Sequence, residues 1–161
     1  MPLISADYKW FHSLNKRGGA IQTGSEYTGT KHDLFDAFEP AETTAGDVYY
    51  ACVFFQNKNT TTTMEGVKIY LDSNTPSGTT SVRIALSANG VNAAAEVIAD
   101  ELTAPAPALT FVTADGEING LSVPDLAPDD YIGVWFEFTL NAATAAMAND
   151  GWTTGVYAKY V

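Results

Sequence analysis

Residues 47–56 read DVYYACVFFQ, a run whose interior is apolar on both parities. β-branched and aromatic side chains dominate it, which favours a strand over a buried helix. A strand with no polar side must be covered on both faces. The rest of the chain has to supply that cover.

Other segments supply one-sided strands. Val67, Ile69 and Leu71 alternate with Lys68 and Tyr70, and Val82, Ile84 and Leu86 alternate around Arg83. Such alternation turns one face of a strand inward. In residues 131–140 (YIGVWFEFTL), Ile132, Val134, Phe136, Phe138 and Leu140 share the inward side. Tyr131, Trp135, Glu137 and Thr139 share the other. Residues 155–161 (GVYAKYV) close the chain as a strand, and weaker strands are expected at 109–112 and 118–123. Gly, Pro and Asn recur too often for long helices. Residues 33–38 (DLFDAF) and 141–148 (NAATAAMA, with Asn141 placed to cap) have helical character over a turn.

These elements define an all-β chain, an antiparallel β-sandwich of immunoglobulin-like or jelly-roll-like kind. Its core is expected on Phe54, Ile69, Val82, Ile84, Val134, Phe136 and Phe138. A length of 161 residues suits one domain. Residues 1–31 form an N-terminal arm or first-strand region, and residues 32–161 form the sandwich. Within IYLDSNTPSGTTSVRIAL (69–86), Asn74, Pro76 and Gly78 are turn residues, and Asp72 is placed to bond the turn. The segment therefore reads as a hairpin tip rather than a reactive loop.

The net charge of −11 excludes nucleic acid as a partner, because phosphate binding needs clustered Lys and Arg. It equally disfavours an anionic membrane, and no segment approaches the ~20 apolar residues of a spanning helix. No N-terminal run fits a secretion signal. The single cysteine, Cys52, lies in the apolar run and reads as a small buried hydrophobe. A chain kept in a reducing cytoplasm until assembly is expected.

Charge is unevenly placed. Residues 1–31 carry Lys9, Lys16, Arg17 and Lys31 against Asp7 and Glu26, a net +2, whereas residues 32–161 net −13. The basic segment also holds Tyr8, Trp10 and Phe11, with Gly18, Gly19, Gly24 and Gly29 as breakers. Two readings stand: a first strand with loops tucked on the domain, or an arm that docks on a partner. On the second, Lys9, Trp10, Phe11, Lys16 and Arg17 are the partner-binding residues, and deleting residues 1–17 leaves the sandwich folded.

Chemical candidates are weak. Residues 115–120 (DGEING) imitate the start of a calcium loop, but the twelfth position, which should be an acid, is Leu126. His12 and His32 lack the paired spacing of a zinc site, and no G-x-S-x-G motif is present. The acid pairs Asp100-Glu101 and Asp129-Asp130 sit at strand boundaries, where solvated turns are the default. No enzyme, cofactor or metal is expected. Trp135, Tyr70 and Trp152 lie on outward parities and are of the kind that stacks on sugar rings, which keeps a carbohydrate-binding module open.

Four segments together resemble a family of small structural proteins of tailed-bacteriophage virions. They are residues 34–59 (LFD-x-F with ETTAGDVYYACVFFQNKN), 67–86, 99–111 (ADELTAPAPALTF) and 126–151 (LAPDDYIGVWFEFTLNAATAAMANDG). The resemblance covers most of residues 18–157; the segment up to Arg17 departs from it. It implies a β-sandwich that decorates or cements the capsid, with the major capsid protein, other virion proteins and copies of itself as partners. It implies no active-site residues. A neck, tail or fibre position and a carbohydrate-binding host-attachment module are the alternatives. The implied location is the virion, assembled in the host cytoplasm.

Overall fold

The computed structural model describes residues 6–30, 33–36, 46–74, 80–142 and 152–160. Among them the strands are β1 (Tyr8–Ser13), β2 (Gly18–Gly19), β3 (Ile21–Glu26), β4 (Asp47–Asn57) and β5 (Met64–Ser73). They continue with β6 (Thr80–Leu86), β7 (Ala95–Val97), β8 (Leu121–Ser122), β9 (Tyr131–Leu140) and β10 (Thr153–Tyr160). A five-stranded sheet runs β3-β1-β4-β9-β6, a three-stranded sheet runs β10-β5-β8, and β2 pairs with β7 alone. The strands pair antiparallel throughout. The chain is thus the all-β antiparallel sandwich that its periodicities indicate.

β4 and β9 are the spine, in register from Asp47 opposite Leu140 to Gln56 opposite Tyr131. One face of β4, with Tyr49, Ala51, Val53 and Phe55, packs into the main core. There it meets Met64, Val67, Ile69 and Leu71 of β5 and Ala158 of β10. On β9 the inward set Ile132, Val134, Phe136, Phe138 and Leu140 is buried there, as its parity requires. Burying one such large side chain contributes roughly 1.5–3 kcal/mol.

The opposite face departs from expectation in two ways. Phe54 is buried, but in a second cluster with Phe11, Cys52, Ala95, Ile98 and Trp135, so it does not share a core with Ile69 and Phe136. Trp135 is wholly buried and Glu137 is 5% exposed, although their parity suggested an outward side. The cause is an irregular cover from Ser87 to Phe111. It is tied down by Ser87 N–H donating to Gly133 and Asn92 N–H to Tyr131, each through the carbonyl. It carries Ala95, Ile98, Leu109 and Phe111 onto this cluster. Cover without periodicity leaves no periodic signal.

Residues 6–30 belong to this body, which decides between the two readings of the N-terminus. β1 lies between β3 and β4, pairing with β4 from Tyr8 opposite Asn57 to His12 opposite Val53. Phe11 is 6% exposed, and the Trp10 ring sits 5.0 Å from Phe55. β1 is thus a strand of the five-stranded sheet and not an extended arm: Phe11 is buried, Tyr8 and Trp10 pack half-buried against the main core, and the backbone completes the β4 ladder. Gly24 lies inside β3 rather than breaking it. Gly18 has φ +82°, and a Cβ there would fall 1.5 Å from the Glu96 carbonyl oxygen, so only glycine lets β2 approach β7.

The connection from Asp72 to Thr80 is not a hairpin tip. β5 lies in the three-stranded sheet and β6 in the five-stranded one, so the chain crosses between layers. Asn74 anchors the start, its side-chain amide pairing with the Val82 backbone as donor and acceptor at 3.2 Å each. Residues 75–79 lie outside the described residues. The expected strand at 109–112 shrinks to a bridge between Val112 and Ile84. That at 118–123 becomes a 3₁₀ turn (Glu117–Asn119) followed by β8. Residues 33–36 are not helical, and residues 37–38 and 143–148 of the helical expectations lie outside the described residues.

Candidate interaction surface

The proposed docking residues divide. Lys9 pairs with Glu26 across β1 and β3, Nζ to Oε2 at 2.6 Å, with both side chains about half exposed. Trp10 and Phe11 are spent on packing. Lys16 and Arg17 remain at the surface, in the turn that follows β1. That turn holds two consecutive non-glycine residues in the left-handed region, Asn15 at φ 53° and Lys16 at φ 61°. Such conformations crowd the β-carbon and persist only where surrounding bonds impose them. Here Leu14 N–H donates to the Ala20 carbonyl and Arg17 N–H to the Leu14 carbonyl. The Arg17 guanidinium donates to the Ala99 carbonyl at 3.2 Å, and Lys16 lies 3.6 Å from Asp36.

Beside these cations are two exposed apolar side chains that sequence reading missed. Leu14 is 53% exposed and Val97 76%. A Cβ on Gly19 would sit 3.7 Å from each, so the two flank one glycine. Val97 follows the buried Ala95 and Glu96 in a run that looks internal.

A groove opens next to the turn. Tyr50 lines both of two depressions, one of about 330 Å³ lined also by Lys16, Arg17, Asp36 and Glu101. The other, of about 230 Å³, is lined by Arg83, Glu137, Leu109 and Phe111. Arg83 and Glu137 are opposite each other on β6 and β9. Both Nε (2.7 Å) and Nη2 (2.5 Å) reach Glu137 Oε1. The Phe111 ring lies 5.7 Å from Tyr50. Burial first, and the Glu137 carboxylate next, push the Tyr50 phenol above its ordinary value.

Three further groupings could not be read from spacing. His12 Nδ1 lies 2.9 Å from Ser25 Oγ, and its Nε2 lies 2.9 Å from Asp33 Oδ1. This joins a serine, a histidine and an aspartate, but the buried Nε2 lacks hydrogen-bond alignment, which a catalytic triad needs to orient its ring. Asp33 instead accepts from Thr28 N–H and hydroxyl. Burial raises the Asp33 carboxyl, but these bonds and His12 outweigh it and hold it below its ordinary value. The group fastens the segment after β3 onto β1. Second, Glu96 is a buried carboxylate held by neutral donors, the Ala88 N–H at 2.7 Å and the Trp135 indole N–H at 2.8 Å. Third, Cys52 is fully buried, and burial pushes its thiol up.

The other sequence candidates are structural. Asp129 pairs with Lys58 at 2.7 Å, Asp130 accepts from the Ala127 N–H, and Asp100 accepts from Leu102 and Thr103. Leu126 is wholly buried and bridges Met64. No three His, Cys, Asp or Glu side chains come together among the described residues. The sugar-stacking trio is corrected: Trp135 is buried, Trp152 packs 6.0 Å from Phe136 in the main core, and the Tyr70 ring lies over Gly155 on its cross-strand neighbour. His32 lies outside the described residues.

The chain matches no family model, no curated protein and no solved structure.

Proposed function

We propose that the chain is a non-enzymatic structural protein of a bacteriophage virion, one that decorates or cements the capsid surface. Its partners are the major capsid protein or another virion protein, and further copies of itself. The carrying observation is the surface at the β1–β2 turn: Leu14 and Val97 exposed side by side, with Lys16 and Arg17 next to them on a chain of net charge −11. Apolar area supplies affinity at such a contact, and the cations steer an acidic body toward its site. The resemblance of residues 34–59, 67–86, 99–111 and 126–151 to small virion proteins supports the same reading.

Counting this protein in purified particles tests it. Hundreds of copies are expected for capsid decoration, about six or twelve would move it to the neck or tail, and none would overturn the virion reading. A fluorophosphonate probe tests the non-enzymatic part: Ser25 should stay unlabelled, and stoichiometric labelling lost in His12→Ala would contradict it.

A further inference from the structure

We propose that the groove divided by Tyr50 binds a short uncharged oligosaccharide, with one sugar ring on each side of the tyrosine. The chemistry of its walls selects this ligand. Among the described residues, three cations, Lys16, Arg17 and Arg83, and three anions, Asp36, Glu101 and Glu137, line the two depressions. Balanced charge gives no preference for a phosphate, a nucleotide or an acidic peptide. Interleaved N–H donors and carboxylate acceptors instead match vicinal hydroxyls, each of which donates and accepts.

The aromatics supply the other half of the recognition. Tyr50 and Phe111, 5.7 Å apart, offer apolar ring surface to the C–H face of a pyranose. The side chains are preset. Glu137 is buried and fixed by Arg83, while the Arg83 side chain is 48% exposed. A guanidinium has five N–H donors, and only its Nε and Nη2 are engaged by Glu137, so donors remain for a ligand. The depression of about 330 Å³ is in the range of about 300–1,000 Å³ typical of small-ligand sites, and that of about 230 Å³ is smaller. This site shares only Lys16 and Arg17 with the capsid-facing surface, so either can fail without the other.

The test is nuclear magnetic resonance on the isotope-labelled full chain, titrated with lactose, maltose, cellobiose and diacetylchitobiose, and with glucose 6-phosphate as the charged probe. At least one neutral disaccharide should give saturable shifts confined to the groove, and glucose 6-phosphate should bind more weakly. Phe111→Ala should weaken binding about fivefold, the worth of one ring contact. Tyr50→Leu removes the ring on which the sugars stack and keeps apolar bulk, so it serves if Phe111→Ala unfolds. Absence of saturable shifts with all four disaccharides, tighter binding of the phosphate, or a folded variant that binds like wild type would each overturn the proposal.

Discussion

The two faces of the five-stranded sheet are covered by different means. One is covered by a second sheet, and Ile69 and Leu71 of that sheet share one buried hydrophobic cluster with Val134 and Phe136. The other is covered by irregular chain from Ser87 to Phe111, and two carboxylates, Glu96 and Glu137, are buried beneath it. A strand satisfies its own backbone through its neighbours. An irregular cover must find acceptors elsewhere, and Glu96 supplies one to the Ala88 N–H. The groove beside Tyr50 is lined in part by this cover, through Leu109 and Phe111. The first face holds the sandwich together; the second carries the surface we assign to binding.

Deleting residues 1–17 should hurt most, because it removes β1 from between β3 and β4 and Phe11 from the second cluster. We expect no cooperative thermal transition. A native-like melt would restore the docking-arm reading. On the sheet-covered face, Phe136→Ala should cost about 3–5 kcal/mol by denaturant titration. Under the irregular cover, Glu96→Gln keeps the shape but points an amide N–H at one of two N–H donors. It should cost about 1–3 kcal/mol. A cost equal to that of Phe136→Ala would erase the distinction between the faces.

A smaller effect is set by pH. Burial, with the Asp33 carboxylate nearby, pushes the Tyr27 phenol from 10.0 up to about 12. Because the folded value is the higher one, its contribution is whole below pH 10 and is lost as pH rises through about 12. Tyr27→Phe should therefore lose less stability than wild type across that interval. Parallel profiles would mean that Tyr27 is solvated.

The sequence displays the sheet-covered face almost completely. β5, β6 and β9 were readable because alternation is imposed by the sheet itself, and β4 because a strand covered on both faces is a continuous apolar run. The second face was not, because Ala95, Ile98, Leu109 and Phe111 reach it from a segment without a period. That is why Trp135 and Glu137 looked outward. The pairing of β1 was not legible because Gly18, Gly19, Gly24 and Gly29 read as breakers, whereas Gly24 lies inside β3 and Gly18 marks a close approach of two strands. Of the candidate surface, Lys16 and Arg17 were visible as charge. Leu14, Val97 and the Tyr50 groove depend on tertiary placement and had no local signature.

The division of labour between the faces is tested most directly by co-sedimentation of the Leu14→Ser, Val97→Ser double variant with particles prepared without this protein, alongside its thermal melt. Both side chains are more than half exposed, and surface changes of this kind usually alter stability by less than about 0.5 kcal/mol. We expect a melt like that of wild type and loss of most particle binding. Binding at wild-type strength by a normally folded variant would contradict the assignment of this face.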